Sequence, residues 1–111
     1  MTTTAKQYNG WTNYETWVVK LWIDNDAGSY EYWREETRAA INEAEAGTVL
    51  TKQEAARYDL AGRLQSSHED SRPAEVCGAS LWTDLLSAAL SEVNWSEIAA
   101  SLIEDAEQDE A

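Results

Sequence analysis

The chain has very little of the chemistry from which enzyme and metal sites are built. It contains one cysteine, Cys77, and one histidine, His68, whereas a structural zinc site needs several such ligands. It has no glycine-rich phosphate loop. His68 is expected at the end of a helix, where a cation interacts well with the helix dipole. These shortages predict a protein that is not an enzyme and needs no cofactor and no metal.

Long apolar runs are also missing. No stretch approaches the ~20 residues that span a bilayer, and the first residues lack the apolar segment of a signal peptide. A single cysteine forms no internal disulfide, which favours a cytoplasmic protein. The length of 111 residues predicts one domain over 1–111, with a short N-terminal arm (1–10) and an acidic C-terminal tail (104–111).

Positive charge is scarce. Eight Lys and Arg face 21 Asp and Glu, so the net charge is −13, and no basic residue follows Arg72. Nucleic-acid binding needs cations that displace counterions from phosphates, so direct binding to nucleic acid is not expected. An anionic membrane surface is disfavoured for the same reason. A basic protein surface, or solubility alone, remains to explain the acidity.

What the sequence does have is helical periodicity. Apolar residues recur with the 3.6-residue period, and no useful stretch alternates with period two. Capping boxes begin at Thr12 and Thr51, Asn94 is a further N-cap, and Gly28 and Gly47 are placed to end helices. We therefore predict an all-α fold, a compact bundle of about five short helices, with a loop at 69–78. The predicted helices are 13–26, 29–46, 52–68, 80–92 and 95–108.

The first predicted helix is apolar around most of its circumference. This pattern is typical of a central helix or of a helix with one side against a partner. We prefer the central position, with self-association as the alternative. Three aromatic residues, Trp11, Trp17 and Trp22, are expected to build mainly the core, with one exposed as an anchor for a partner.

The residues that begin at Asp24 fit the pattern of a calcium loop in part. Asp24, Asp26 and Glu35 have the spacing of positions one, three and twelve, but Gly28 and Ser29 do not suit positions five and six. A turn between two helices is the preferred interpretation.

Uncompensated acids make up the candidate binding face. Glu97, Glu104 and Asp105 share the last helix with no cation within reach in the sequence, and anions near a helix C-terminus are mildly unfavourable. We predict that the acids of this region contact basic groups of a partner, although a solvating tail is the alternative. The predicted face comprises Glu92, Glu97, Glu104, Asp105, Glu107, Asp109 and Glu110.

Two segments resemble a known family. Gly10-Trp-Thr-Asn-Tyr-Glu-Thr-Trp17 with Leu21-Trp-Ile-Asp-Asn-Asp26, and the closing stretch 90–99, resemble a family of small acidic proteins from phages, plasmids and bacterial genomes whose function is uncharacterised. The resemblance implies a setting and no mechanism. Small acidic helical proteins of mobile elements include inhibitors of restriction and CRISPR systems, and some of these imitate DNA.

The sequence therefore predicts an acidic protein-binding domain, of the DNA-mimic type, that blocks a DNA- or RNA-binding host protein. The alternative is a Trp-rich interaction module, a homodimer or an adaptor, whose acidity serves solubility alone.

Overall fold

The computed structural model describes residues 8–47 and 50–109, without the side chain of Asp109. Within these ranges five α-helices follow one another, and the predicted all-α bundle is confirmed. They are α1 (Tyr14–Asn25), α2 (Ala27–Glu43), α3 (Lys52–Asp70), α4 (Leu81–Ser91) and α5 (Trp95–Asp109), with a 3-10 turn at Ala74–Val76. None of the described helices is both long and apolar enough to cross a bilayer.

The last helix, α5, contributes the largest set of buried apolar residues to the core. It packs against α1, α2 and α3, and an apolar stripe recurs every three or four residues along it. The stripe lies in one core with α2 and α3 residues that include Trp33, Leu60 and Leu64. The expectation that α1 is central is therefore wrong. The buried residues of α5 are Trp95, Ile98, Ala99, Leu102 and Ile103.

The start of α1 is fixed by Asn13. The capping-box pattern predicts Thr12 in this role, and that prediction is wrong. The Asn13 side chain accepts from the amide of Thr16 at 2.9 Å and from its hydroxyl at 2.6 Å. Its own Nδ2 donates to the Glu92 carbonyl at 2.6 Å. In turn, the Thr16 hydroxyl accepts from the amide of Asn94 at 2.8 Å. The cap thus ties α1 to the start of α5.

The junction of α1 and α2 is one residue long. Asp26 ends α1 and caps α2, because its side chain accepts from the amide of Ser29 at 2.9 Å. The prediction that Gly28 ends a helix is wrong, since Gly28 lies inside α2. A calcium loop cannot exist here, because the chain is helical from residue 27 through Glu35. Gly47 also ends no helix, because α2 already ends at Glu43.

The third helix joins the bundle through a confirmed capping box and an ion cluster. Thr51 and Glu54 exchange the two bonds of the box, at 2.9 and 3.1 Å. Further along, Arg63 contacts three carboxylates on α2 and α3, those of Glu36 at 3.2 Å, Glu43 at 2.8 Å and Asp59 at 2.9 Å. Since Glu36 and Glu43 lie on α2, the cluster links the two helices. The helix continues to Asp70, beyond the predicted end at 68.

His68 lies between two core tryptophans. Its ring stacks on Trp33, with centroids 5.8 Å apart and planes 12° apart, and contacts Trp95 at 5.3 Å. Its Nδ1 is 2.7 Å from the carbonyl oxygen of Leu64. The predicted position at a helix end is confirmed, since His68 lies in the last turn of α3, but its half-buried ring is also part of the packing between α2, α3 and α5.

We predict that His68→Ala lowers the free energy of unfolding by about 1–3 kcal/mol, because it removes two aromatic contacts and leaves a gap. Urea denaturation followed by tryptophan fluorescence measures the change. Ser66→Ala, at an exposed position of the same helix, is the matched control and should stay within about 0.5 kcal/mol of the wild type. Equal stability of the two variants would contradict the packing role.

Candidate partner-binding surface

The helical period of α5 separates its apolar stripe from its acids. Successive residues turn by about 100°, so burying Ile98 and Leu102 directs Glu97 and Glu104 to the outer face. Glu104 is exposed and Glu97 is half-buried. At ~1.5 Å rise per residue, these two positions are about 10 Å apart along the axis. The core therefore sets which acids reach solvent.

Three carboxylates converge on one shallow pocket between α3 and α5. Glu104 and Glu107 of α5 line it together with Glu54 of α3, in a volume of about 440 Å³. Arg57 is the cation among the described lining residues. We call Glu54, Glu104 and Glu107 the acidic patch. Glu107 also accepts a hydrogen bond from Gln53 Nε2 at 2.7 Å, which fixes it beside α3.

Glu104 continues this surface toward the N-terminal segment. It lines a second pocket of about 380 Å³ with Glu97 and Trp11. Glu97 is engaged within the fold, because its carboxylate accepts from the amide of Thr12 at 3.2 Å and makes a further contact. Glu97 thus helps to hold the segment before α1, and Glu104 is the exposed acid that lines both pockets.

Asp105 belongs to the opposite flank of α5. It lines a small cavity of about 40 Å³ with Arg34 and Arg38 of α2. The fold therefore brings two arginines from a distant part of the sequence to the cavity that Asp105 lines, without an ion pair to Asp105 among the described contacts. Asp105 does not join the acidic patch.

Of the remaining predicted acids, Glu92 is the one whose side chain is described. Glu92 is exposed at the C-cap of α4, where its backbone carbonyl, and not its carboxylate, contacts Asn13. Asp109 is the last residue of α5, and its side chain lies outside the described part, as does Glu110. Of the seven acids predicted from the sequence, the structure brings Glu104 and Glu107 together, with Glu97 adjacent.

Sequence analysis missed Glu54 as a member of this surface. It was recognised only as the third position of a capping box, and it lies 50 positions before Glu104 in the chain. The pKa of Glu54 is lowered from its ordinary value of 4.5, because the backbone and then the side chain of Thr51 donate hydrogen bonds to it. Glu54 therefore stays ionised beside the other two acids.

The three tryptophans expected in the core occupy different environments. Trp11 is half-buried against the core, with Lys20 Nζ 5.8 Å from its ring centroid. Trp17 is half-buried and lies 5.5 Å from Tyr14. Trp22 is 69% exposed, so it is the one of the three that lies in solvent, and its role as an anchor stays a prediction. The buried tryptophans are Trp33 and Trp95.

One comparison with known proteins finds a match. A family model described as a family of unknown function, DUF7249, covers residues 4–110. The chain belongs to this family. No curated protein and no solved structure matches it. Membership of DUF7249 agrees with the expectation of a family without a known function, and the phage or plasmid setting stays a prediction.

We predict that Glu54→Gln weakens the loss of stability in acid. A carboxylate with a lowered folded-state pKa adds stability above its unfolded pKa, and this contribution disappears as pH falls through the folded pKa. The amide still fits the capping box but does not titrate. Urea denaturation between pH 3 and 6 should therefore give a shallower decline than in the wild type.

The matched control is Glu31→Gln, an exposed carboxylate of α2 that lies outside any capping box. It should keep the wild-type slope below pH 4.5. Identical slopes for Glu54→Gln and the wild type would show that the Thr51 bonds do not contribute to stability in solution.

Proposed function

We propose that this protein is an acidic protein-binding domain whose outer α5 face engages a basic, nucleic-acid-binding surface of another protein. The observation that carries the proposal is the acidic patch, where Glu54, Glu104 and Glu107 share one pocket wall with Arg57 as the described cation. Glu104 and Glu107 lie in the last two turns of α5, where the helix dipole opposes negative charge. The charges of Glu104 and Glu107 therefore add little to the stability of the fold.

Such a patch acts through charge. Lysines and arginines that normally contact phosphates would meet carboxylates instead, and the net charge of −13 would steer the encounter. A partner held in this way has its nucleic-acid site blocked. The setting follows from the family resemblance to proteins of phages and plasmids, in which a DNA mimic would inhibit a host defence protein of the restriction or CRISPR type.

The test is a pull-down from bacterial lysate with three tagged forms of the protein. The wild type should retain DNA- or RNA-binding proteins at 50 mM salt and release them at 500 mM, because screening weakens ion pairs. Glu104→Gln with Glu107→Gln should lose most of this retention. Glu31→Gln with Glu35→Gln removes the same charge from exposed positions of α2 and should retain it.

A short DNA duplex added to the washed complex should displace the captured protein, because mimic and DNA would occupy one surface. Equal capture by the two double variants would contradict the role of the acidic patch. Failure of the duplex to compete would contradict DNA mimicry while leaving an acidic contact intact.

A second candidate function is supported by the outer face of α1. Tyr14 and Leu21 lie seven residues apart on one side of this helix and are 51% and 37% exposed, with Trp22 beside them at 69%. Exposed aromatic residues without charge are typical of interface centres. This face suits the Trp-rich homodimer or adaptor. Binding of a partner through this face should persist in 500 mM salt and should be lost in the Trp22→Ala variant. Binding through the acidic patch should instead be lost at 500 mM salt, so the two modes can be told apart.

A further inference from the structure

The helix α4 is the least integrated element of the fold. It contains no buried residue and packs mainly on the 3-10 turn that precedes it. Large apolar side chains stay in solvent, with Leu81 64%, Trp82 66% and Leu85 53% exposed. A helix of 11 residues is marginal without tertiary packing. No other described part of the chain therefore covers the exposed apolar side of α4.

The apolar side chains on the outer side of α4 form one stripe, in which Ala89 is half-buried and the other four are exposed. Leu81, Trp82, Leu85, Ala88 and Ala89 follow the spacing i, i+1, i+4, i+7, i+8, which is that of a helix-pairing seam. The opposite edge carries Asp84, Ser87 and Ser91. We call the five apolar residues the α4 stripe. Its outer positions face solvent, whereas Leu90, on the inner side of the helix, packs against the core.

Charge argues for a second copy of this chain as the partner. Two copies at −13 each repel one another through any face that carries acids. Residues 76–91 contain one charged side chain, Asp84, which lies off the stripe. Contact through α4 therefore brings together less like charge than contact through the acidic patch. The stripe also carries no negative charge that could bind a strongly basic partner.

The order of large and small residues is self-complementary. Leu81 and Trp82 lie at the N-terminal end of the stripe, and Ala88 and Ala89 lie at the C-terminal end. We propose that α4 pairs with α4 of a second copy in antiparallel orientation about a two-fold axis near Leu85. The bulky side chains of each copy then pack over the alanines of the other, as a two-fold interface requires.

The area predicts a weak dimer. A tryptophan that is 66% exposed and two half-exposed leucines give the stripe roughly 200–350 Å² per copy. A stable interface needs about 800 Å² per partner. We therefore expect a dissociation constant on the order of 100 µM, with association stronger at high salt because screening reduces the repulsion between copies.

Sedimentation equilibrium on the full chain tests the pairing. Between 10 and 500 µM the wild type should pass from monomer to dimer, and more so in 500 mM than in 50 mM salt. Leu85→Glu places a charge at the axis and should abolish the dimer. Ser87→Glu adds the same charge to the polar edge of α4 and should lower association less than threefold. Circular dichroism checks that both variants keep their helical content.

Cross-linking tests the orientation in a Cys77→Ser background. Leu85→Cys, near the axis, should form an intermolecular disulfide readily under mild oxidation. Leu81→Cys should not, because an antiparallel pair holds its two copies at opposite ends. Equally fast cross-linking of both variants would overturn the antiparallel arrangement.

A wild type that stays monomeric at 500 µM in both salts would overturn the proposal and leave the α4 stripe to a different protein. A Leu85→Glu variant that still dimerises, or a Ser87→Glu variant that is equally monomeric, would also overturn it. Since the acidic patch is not altered in any of these variants, failure here is distinct from failure of the proposed function.

Discussion

The burial of the apolar stripe of α5 against three helices is the constraint on which the rest of the structure depends. Once Ile98, Ala99 and Leu102 are in the core, the rotation of the helix decides the direction of every other side chain on it. Glu104 must face outward, and Asp105, one residue later, must turn toward α2. The same packing therefore directs two neighbouring acids to different sides of α5, one to the acidic patch and one to a cavity that arginines of α2 also line.

The periodic pattern predicted the helices well because it depends on local rules. A few neighbouring residues determine each of three features that the structure confirms, namely the stripe of α5, the capping box at Thr51 and the cap at Asn94. Helix boundaries were less accurate where two side chains could cap. At the start of α1, Asn13 replaced Thr12 because it also reaches the carbonyl of Glu92, a contact that no local pattern contains.

The candidate surface was harder to predict because it depends on which distant residues meet. Bringing Asp105 to the same cavity as Arg34 and Arg38 needs α2 and α5 side by side, and so does the stacking of His68 between Trp33 and Trp95. Glu54 joins Glu104 only because α3 and α5 pack together. Similarly, the apolar character of α1 indicated burial, yet the bundle covers only one side of that helix and leaves Trp22 in solvent.

The acidic patch and the α4 stripe therefore lie on different elements, and salt acts on contacts through them in opposite directions. The central claim is that the acidic patch binds basic groups of a partner through ion pairs. Its most direct test is the salt dependence of the dissociation constant for a captured and purified partner, measured with the wild type and with Glu104→Gln/Glu107→Gln. We predict a steep loss of wild-type affinity between 50 and 500 mM salt and a clearly shallower dependence in the variant. An affinity that is independent of salt, or an identical slope in the two proteins, would contradict the account.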